Sequence, residues 1–455
     1  MENWKNHYQE HLVSVEEAAR AISAGDVVWM GQGPEIPFTM LDEMHIHMED
    51  YHDVFLIWNV ATMPFGMLFD PESRKHFRMT SFFNLPLERM SGEMGVMEYH
   101  SCGYDHLDEG FFEYGGNTAA LHVCPPDEDG WCNVGHYGVS TTSLIINDPR
   151  VKKRIGFIDR TGQYPIPGDR KDVSVHVTEF DYIVECDTEM VEIPAAAPTE
   201  VDRQIAAHIL PLIHGGDKIE IGFGGLGEEI LSNLRTVGPV EIYTEVCCDN
   251  MIDLVEEGVI TKVTASSPGT CTEHFFKFLS VDPRVRLLPR NRMIDLFEIA
   301  KQDNIVAINA TFMVDLLGQA CSEAQGLTPY SGVGGSFAYI YGAIRSKGGR
   351  SFLCLRSTYV DSSGETHSNI VPWLPEGSIV TTPKNYQMYI VTEYGLANVY
   401  LKTMPDRIRA MIKIAHPAYR RELKERISTT TLITEADFAG YELFDNKEQR
   451  AEAGE

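Results

Sequence analysis

Apolar and polar residues form two kinds of pattern along the chain. Amphipathic stretches with helical spacing are followed by short apolar runs. The clearest case occurs twice: SVEEAARAIS precedes DVVWM, and DRQIAAHILPLI precedes DKIEI. Apolar residues that recur every three to four positions predict a helix, and a short apolar run between turns predicts a strand. Each copy therefore predicts a helix, a turn, a short β-strand, a glycine turn and a second helix.

The two copies also share the spacing of their turn residues. Gly25, Asp26, Gly31 and Gly33 of the first correspond to Gly216, Asp217, Gly222 and Gly224 of the second. This internal repeat predicts two α/β halves built on one plan. The intervening VEIPAAAPTEVD is rich in proline and small residues, so a boundary is expected between residues 190 and 200. We place the N-terminal domain at residues 1–195 and the C-terminal domain at 196–455.

The second half continues the alternation of strands and helices. Its predicted strands are VEIYTE, NIVAINA, SFLCLRST, GSIVTT and MYIVTEYG, and its predicted helices are DNMIDLVEEG, SFAYIYGAIRSKGG and PDRIRAMIKIAHP. Apolar strands that alternate with helices are typical of parallel sheets buried on both faces. The predicted fold class is therefore α/β, with mainly parallel sheets.

Composition and net charge exclude some classes of protein and of binding partner. The 455 residues exceed one compact domain, and 43% hydrophobic with 23% charged residues is ordinary globular composition. Asp and Glu number 66 against 38 Lys and Arg, a net charge of −28. Such an acidic protein repels phosphate backbones, so we expect no nucleic-acid partner. A small anionic ligand is still compatible, because main-chain N–H groups can bind one.

Several features indicate a cytoplasmic protein that binds neither a membrane nor a metal. The start MENWKNHYQEHL has no apolar core, so no signal peptide is expected, and no run approaches the ~20 apolar residues of a membrane span. The 9 cysteines form no CxxC pair, which fits reduced thiols. His45, His47 and His52 lack regular ligand spacing and are interpreted as a solvated helical face. The acidic tail after Phe444 is expected to be loosely ordered.

The first candidate site is GFGGLG, residues 222–227, directly after KIEI. It matches the GxGxxG pattern of dinucleotide-binding turns, with acidic residues about twenty positions further on. Glycines let a backbone approach a ligand closely, and the helix that follows points free N–H groups at a phosphate or carboxylate. A dinucleotide site, a more general anion site and a plain tight turn all remain open.

The second candidate site is SGVGGS, residues 331–336, preceded by Tyr330 and followed by the predicted helix FAYIYGAI. Consecutive glycine N–H groups can point the same way and stabilise an oxyanion. The alternative interpretation is a flexible loop.

The third candidate is a carboxylate at the end of a strand. Glu245 ends VEIYTE, just before Asp249, which is expected to cap the next helix, and Glu393 in YIVTEYG has a similar position. Ligands of open α/β sheets bind at the carboxyl ends of strands. Spacing alone does not choose between the two glutamates. VFLIWNVATM, the corresponding stretch of the first half, has no carboxylate, so the site is predicted in the second half.

Together these blocks resemble the acetyl-CoA hydrolase/transferase family, specifically its butyryl-CoA:acetate and 4-hydroxybutyrate CoA-transferases. The likeness covers almost the whole chain and is looser in the first half, where VCPPDEDGWCNVG carries it. The matching blocks of the second half are GFGGLG, YTEVCCDNMIDLVEEGVIT, DNIVAINATFMVDLLGQ, PYSGVGGSFAYIYGA, SKGGRSF, IVPWL, YIVTEYGLANVY and IAHPAYRREL. The resemblance implies a pair of related open α/β domains of the CoA-transferase type, with the active site at their interface.

The resemblance also implies the roles of individual residues. It makes Glu245 the nucleophile that attacks an acyl-CoA, and it makes Gly335, and less directly Gly334, an oxyanion donor. The residues it implies for coenzyme A binding are Gly222, Phe223, Gly224, Gly225, Leu226, Phe312 and Gly335. Because Glu245 must be ionised to attack, we expect polar or amide-rich surroundings for it.

The implied activity is short-chain acyl-CoA:acetate CoA-transfer of the butyryl-CoA type, through an enzyme glutamyl-CoA thioester. Coenzyme A thioesters and short-chain carboxylates would be the substrates, with no permanently bound cofactor, and the assembly would be a homodimer or larger. The alternatives are a 4-hydroxybutyrate or propionate CoA-transferase, an acyl-CoA hydrolase, a non-catalytic coenzyme A sensor and, from GxGxxG, an NAD-dependent oxidoreductase. The chain departs from the family pattern at Val246, Ser336 and Gly227.

Overall fold

The computed structural model describes residues 4–269, 271–439 and 441. The tail after Phe444 lies outside these residues, so its expected loose order stays a prediction. Within the described part of the chain, no helix is both long and apolar enough to cross a membrane.

The first half begins with a short helix and builds a sheet from residue 27 onward. Its elements are α1 (Trp4–Glu10), α2 (Val15–Arg20), β1 (Val27–Gln32), α3 (Phe38–Ile46), β2 (Val54–Asn59), β3 (Phe77–Ser81), α4 (Pro86–Glu93), β4 (Glu98–Tyr99), α5 (Leu107–Glu113), β5 (Thr118–Val123), β6 (Trp131–Asn133), α6 (Gly135–Gly138), α7 (Thr142–Ile146), β7 (Lys153–Asp159), α8 (Arg170–Val173), β8 (Ser174–His176) and β9 (Tyr182–Cys186).

The second half follows a similar course and adds short hairpins and C-terminal helices. Its elements are α9 (Glu200–Ile209), β10 (Lys218–Ile221), α10 (Gly225–Asn233), β11 (Val240–Cys247), α11 (Met251–Glu256), β12 (Ile260–Pro268), α12 (Glu273–Val281), β13 (Val285–Leu287), α13 (Arg290–Met293), α14 (Leu296–Ala300), β14 (Ile305–Ala310), β15 (Met313–Asp315), β16 (Ala320–Cys321), β17 (Ala324–Gln325), β18 (Thr328–Pro329), α15 (Ser336–Arg345), β19 (Arg350–Cys354), β20 (Thr358–Val360), β21 (Thr366–Ser368), β22 (Ile370–Val371), β23 (Tyr389–Thr392), β24 (Gly395–Asn398), α16 (Met404–Ile414), α17 (Pro417–Ile427) and α18 (Glu435–Phe438).

Two large sheets carry the fold, one in each half. The first has the order β4-β3-β2-β1-β5-β7-β9, and its neighbouring strands are parallel. The second has the order β13-β12-β11-β10-β14-β19-β23-β24, and among its strands only β23 and β24 pair antiparallel. The predicted α/β class with mainly parallel sheets is confirmed.

The sequence repeat coincides with a repeat of topology. Counting outward from β1 and from β10, the first seven strands of each sheet follow the same order. Directly after the repeated Gly-Asp turns, Val27 pairs with Phe55 and Lys218 pairs with Glu241. Along the partner strands, Asn59 therefore occupies in the first half the position that Glu245 occupies in the second. Residues 187–199 connect the halves, and the division at residue 195 stays a prediction.

One of three buried apolar clusters among the described residues runs through both halves. It includes Trp29 and Ile57 from the first sheet together with Ile219 and Ile242 from the second. Aromatic packing crosses between the halves, since the rings of His136 and Phe276 lie 4.0 Å apart. The halves therefore bury apolar surface against each other, and that burial stabilises their relative placement.

Two local predictions were wrong. GSIVTT, residues 377–382, forms no strand: Gly377 turns the chain with a φ of +84°, and Thr382 makes one isolated bridge, to Ala320. A turn glycine and the proline at position 383 both interrupt a sheet ladder, which explains the loss. Asp249 does not cap α11, because Asn250 is the cap residue and the Asp249 carboxylate accepts the Thr272 N–H at 3.0 Å.

Candidate active site

Glu245 lies near the carboxyl end of β11, inside the strand. The strand continues to Cys247, so the prediction that Glu245 ends it was wrong by two residues. Alternation along the strand puts Tyr243 and Glu245 on one face. The side chain of Glu245 is half-buried, and it is directed toward the loop that precedes α15.

The glycine loop of residues 331–335 meets Glu245 directly. A Cβ atom placed on Gly335 would overlap Oε2 of Glu245 and come within 3.2 Å of Ile294. The carboxylate therefore rests against the α-carbon of Gly335, a position that a larger residue would occupy itself. The main-chain N–H of Gly335 is close enough to the carboxyl to favour its ionised form, and helix α15 starts at the next residue, Ser336.

Burial dominates the electrostatics of Glu245. It raises the pKa of this carboxyl to about 7, although the positive charge of Arg290 and the Gly335 N–H both act to lower it. The expectation of surroundings that favour the ionised form was therefore only partly right. At neutral pH the carboxylate is divided between its ionised and protonated forms.

A second buried glutamate, Glu220 on β10, lies beside the first. The register that pairs Ile219 with Ile242 puts Glu220 next to Tyr243, on the face that also carries Glu245. Burial, followed by the charge of Glu245, raises the pKa of Glu220 well above its ordinary value. Its Oε2 accepts hydrogen bonds from the Ile308 N–H at 3.1 Å and from Asn309 Nδ2 at 2.8 Å. Of the two carboxyl groups, Glu245 is therefore the one that ionises more readily.

The loop that carries Gly335 is anchored on the first half of the chain. Three of its carbonyls accept hydrogen bonds from that half: Gly334 from the N–H of Tyr104 at 3.1 Å, Ser331 from Asn84 Nδ2 at 3.1 Å, and Tyr330 from Arg89 Nη1 at 3.0 Å. Gly332 also packs so closely on the Phe82 carbonyl that a Cβ would overlap it. The glycine loop therefore belongs to the interface between the halves.

Several polar residues at this interface were not predicted from the sequence. Arg290 is fully buried and lies with its guanidinium 4.7 Å from the ring centre of Tyr104. From there a chain of side-chain hydrogen bonds continues through Tyr104 to Asn59 at 3.0 Å, to Gln32 at 3.1 Å and to Ser267 at 3.2 Å. Only Gln32 had a sequence signal, because it lies between the two repeated glycines of β1, where Phe223 lies in the other copy.

The glycine turn of residues 222–226 is open at its outer side. Helix α10 starts at Gly225, preceded by Gly224 with a φ of +114°. A Cβ placed on Gly222 or Gly224 would meet no atom within 4 Å, whereas one on Gly227 would overlap the Gly222 carbonyl. The close approach at Gly227 explains why this chain has glycine there. Phe223 is 61% exposed, so its ring is accessible at this turn.

A groove with a volume of about 880 Å³ lies beside this turn. Its wall contains both Leu226 and Phe312, two of the residues that the family resemblance implies for coenzyme A. The ring of Phe312 packs edge-on against Tyr330 at 4.7 Å between centres. Groove and glycine loop are therefore adjacent. Further lining residues are Ile205, Ala310, Thr311, Met313, Cys354, Leu355 and Arg356.

Glu393, the other glutamate considered from the sequence, is engaged elsewhere. It lies in the turn between β23 and β24, where its carboxylate accepts the main-chain N–H of Ser357 at 3.0 Å and the hydroxyl of the same residue. Of the two glutamates, Glu245 is the one that meets the glycine loop.

Two groups of potential metal ligands occur among the described residues, and hydrogen bonding within the protein explains each. His122, Asp159 and Cys186 lie close together, but Asp159 already accepts the N–H groups of Gly162 and Thr188. The hairpin group of Asp361, Glu365 and His367 is joined by bonds to Asp361. Of the histidines His45, His47 and His52, the first is paired with Asp70, whose carboxylate lies 2.9 Å from its Nε2. The other two follow the end of α3 at Ile46 and do not share its helical face.

Comparison with known proteins assigns the family. A 4-hydroxybutyrate coenzyme A transferase of Clostridium kluyveri is 30% identical over 430 residues, which cover 92% of this chain and 98% of that protein. A family model, the acetyl-CoA hydrolase/transferase C-terminal domain, matches residues 271–427. The chain belongs to the acetyl-CoA hydrolase/transferase family, among its CoA-transferases.

Two further relatives of this CoA-transferase extend the comparison. A butyryl-CoA:acetate CoA-transferase of Anaerostipes caccae is 29% identical over 440 residues, covering 92% of this chain and 96% of that protein. The crystal structure of RipA from Yersinia pestis superposes with a TM-score of 0.83 at 26% identity, over 95% of this chain and all of that one. The predicted family and CoA-transferase fold are therefore confirmed.

Proposed function

We propose that this enzyme is a short-chain acyl-CoA:acetate CoA-transferase of the butyryl-CoA type, with Glu245 of the C-terminal domain (residues 196–455) as nucleophile. The observation that carries the proposal is the contact between Glu245 and Gly335, which brings a carboxylate to a main-chain donor. An acyl transfer needs these two groups, a nucleophile and a stabiliser of the oxyanion.

The first half-reaction removes the acyl group from its thioester. An oxygen of ionised Glu245 attacks the thioester carbonyl, and the negative charge moves onto the carbonyl oxygen. The Gly335 N–H, with that of Gly334 beside it, stabilises this oxyanion; losing one such donor typically costs about 3–4 kcal/mol. The C–S bond then breaks, which leaves a mixed acyl-glutamyl anhydride and free coenzyme A thiolate.

The thiolate next attacks the glutamyl carbonyl of the anhydride. The original acyl group leaves as a carboxylate, and the enzyme retains coenzyme A as a glutamyl thioester. An acceptor carboxylate then reverses both steps and leaves with the coenzyme A. Each step exchanges one carboxylate or thiolate for another, so no net proton is consumed. The kinetics are therefore ping-pong.

Coenzyme A binding is assigned to the groove and the glycine turn. Gly222 to Leu226 present a bare backbone and the start of α10, which suit a phosphate. Phe312 and the other apolar lining residues suit the uncharged parts of the ligand. Contacts to these remote parts supply binding energy for positioning the thioester at Glu245.

Trapping the intermediate tests the proposal. The enzyme is incubated with butyryl-CoA, treated with borohydride and digested, and its peptides are mapped by mass. Borohydride reduces a glutamyl thioester to an alcohol, so we expect that mass change on Glu245 and not in Glu245→Gln, which should also lose exchange. Reduction of Glu393, or full exchange by Glu245→Gln, would reject the assignment.

A substrate panel separates the remaining activities. The relative from Clostridium kluyveri makes 4-hydroxybutyrate the second candidate acid, so butyrate, propionate, acetate and 4-hydroxybutyrate are compared as acceptors by kcat/KM. Release of coenzyme A without any acceptor would identify a hydrolase. For Glu245→Asp we expect slow hydrolysis, because a shorter carboxylate can act as a base for water.

A further inference from the structure

Arg290, the first residue of α13, is a fully buried cation with neutral hydrogen-bond partners. Its Nε donates to Thr141 Oγ1 at 2.7 Å, and its Nη2 donates to Ser140 Oγ at 2.9 Å. Its Nη1 donates to the main-chain carbonyl of Tyr104 at 2.7 Å. Burying a charge among neutral groups costs free energy of folding. Its two anionic neighbours in this region are Glu245 and Asp108.

The bond to Tyr104 leads by one further hydrogen bond and one close approach to the proposed nucleophile. The N–H of Tyr104 donates to the carbonyl of Gly334 at 3.1 Å, and the main-chain N–H of Gly335 acts on the carboxyl of Glu245, which rests against that glycine. The Gly334 carbonyl and the Gly335 N–H belong to one planar peptide group, in which they point in opposite directions. Holding the carbonyl on the Tyr104 side therefore directs the N–H toward Glu245.

Among the charged and titratable groups around Arg290 and Glu245, Arg290 is the main charge that favours the ionised form of Glu245. Glu245 is faced by Arg290 and by three acids, Glu220, Tyr104 and Tyr339, and burial raises the pKa of each of these three. Arg290 is faced by Glu245, Tyr104, Asp108 and Cys102. The other group that favours ionised Glu245 is the Gly335 N–H, whose direction depends on the same arginine.

We propose that Arg290 is a positioning residue for acyl transfer: it directs the Gly335 N–H through Tyr104, and its charge favours the ionised form of Glu245. The inference rests on the proposed role of Glu245 as nucleophile. It also gives the interface between the halves a chemical function, because Arg290 comes from the second half while Ser140, Thr141 and Tyr104 come from the first.

The pH dependence of kcat tests whether the charge of Arg290 favours the ionised form of Glu245. Activity requires ionised Glu245, so it should rise with pH through a limb near 7. In Arg290→Met the limb should move up by about 1 to 3 pH units, the effect of losing an adjacent opposite charge. Arg292→Gln is the matched control: Arg292 lies two residues away, where it pairs with Asp172 at 2.6 Å near the surface, and its loss should leave the limb in place.

Two other variants separate the charge from the hydrogen bonds. Arg290→Lys keeps the cation but cannot make all three bonds, so kcat should fall at every pH while the limb stays within about half a unit. Arg290→Gln is neutral but can still donate to Tyr104, and it carries the test if the methionine variant does not fold. An unchanged limb in the neutral variants, or an equal shift in Arg292→Gln, would overturn the proposal.

A measurement without turnover keeps this inference distinct from the proposed function. The difference in melting temperature between the protein and its Glu245→Gln variant, followed against pH, reports the ionisation of Glu245. When the same comparison is made with Arg290→Gln added to both proteins, the pH at which the melting-temperature difference changes should be higher. If the enzyme transfers no coenzyme A yet the transition moves, the function is wrong and the Arg290 pairing stands. If transfer is confirmed and the transition stays in place, the Arg290 proposal fails.

Discussion

At the scale of single residues, the contact between Gly335 and Glu245 is the most demanding feature of the site. The backbone of Gly335 has an ordinary φ of −92°, so the need for glycine comes from space rather than from conformation. Glu245 occupies the space that a side chain would take. The close approach of a glycine to a carboxylate is what lets a main-chain N–H reach a reacting centre.

Gly335→Ala should therefore displace Glu245, the proposed nucleophile, without unfolding the protein. The added methyl group overlaps the flexible end of Glu245, which can move aside. A misplacement of about 1 Å costs on the order of 100-fold in rate, and we expect that loss in kcat with an unchanged melting temperature. Gly215→Ala is the control, because its Cβ would lie 3.8 Å from the Pro239 carbonyl and should change neither quantity. Wild-type kcat in Gly335→Ala would contradict the contact.

At the scale of elements, equivalent units of the two halves have different surroundings. The turn after β10 is open, and its glycines meet no atoms within 4 Å at two positions. The turn after β1 contains Pro34 and leads into the interface, where Gln32 and Asn59 are hydrogen bonded to each other. Directly after Asn59, Val60 has a φ of +52°, which is strained for a β-branched residue. The first copy thus supports the interface, while the second faces a groove.

The open turn makes Gly222→Ala an informative variant. A Cβ at Gly222 meets no protein atom within 4 Å, and its φ is not in the left-handed region, so the fold should tolerate it. If coenzyme A lies on this turn, the methyl group meets the ligand instead. We expect the KM for acyl-CoA to rise about tenfold, the effect of ~1.4 kcal/mol of binding free energy, with the KM for acetate unchanged. A parallel rise in both would argue against this placement of the ligand.

At the scale of the whole molecule, the buried carboxyl groups make stability depend on pH. Burial raises the pKa of Glu35 to about 8 and that of Glu245 to about 7, from a value of 4.5 in the unfolded chain. The folded state therefore holds more protons than the unfolded state between pH 4.5 and these values. Stability that is present below pH 4.5 is lost as the pH rises through the folded pKa. The pKa of Asp159 is lowered, so this carboxyl affects stability in the opposite sense, but only at pH values below about its ordinary pKa of 3.8.

Burial lowers the pKa of His136 to about 3, which opposes this trend below pH 6.5, so we expect the melting temperature to fall as the pH rises from about 6.5 to 8. Glu35→Gln removes one contribution, worth up to about 1.4 kcal/mol per pH unit, and should flatten the profile measured by calorimetry. Glu113→Gln, at an exposed position of α5, should keep the original slope. A profile in Glu35→Gln as steep as that of the wild type would show that Glu35 ionises freely in the folded protein.

The sequence predicted much of this organisation, because local patterns carry it. The repeat around Asp26 and Asp217 predicted two similar halves, and the apolar runs predicted parallel strands such as β10 and β14. The errors fell where local signals were weak: GSIVTT had strand-like composition between turn residues, and the cap of α11 lies one residue later than the expected Asp249. Glu245 was proposed from its strand and from the family resemblance, and Glu393 could not be set aside on spacing alone.

By itself, the sequence determined the fold class, the repeat and the family, since periodicity, turn glycines and motif spacing are properties of neighbouring residues. Tertiary structure alone decided which groups surround Glu245. Arg290, Tyr104 and Gly334 are far apart along the chain, and they meet because the two halves pack against each other through a shared apolar cluster. Burial at that interface moves the pKa of Glu245 to about 7, and burial depends on the whole fold rather than on any local pattern.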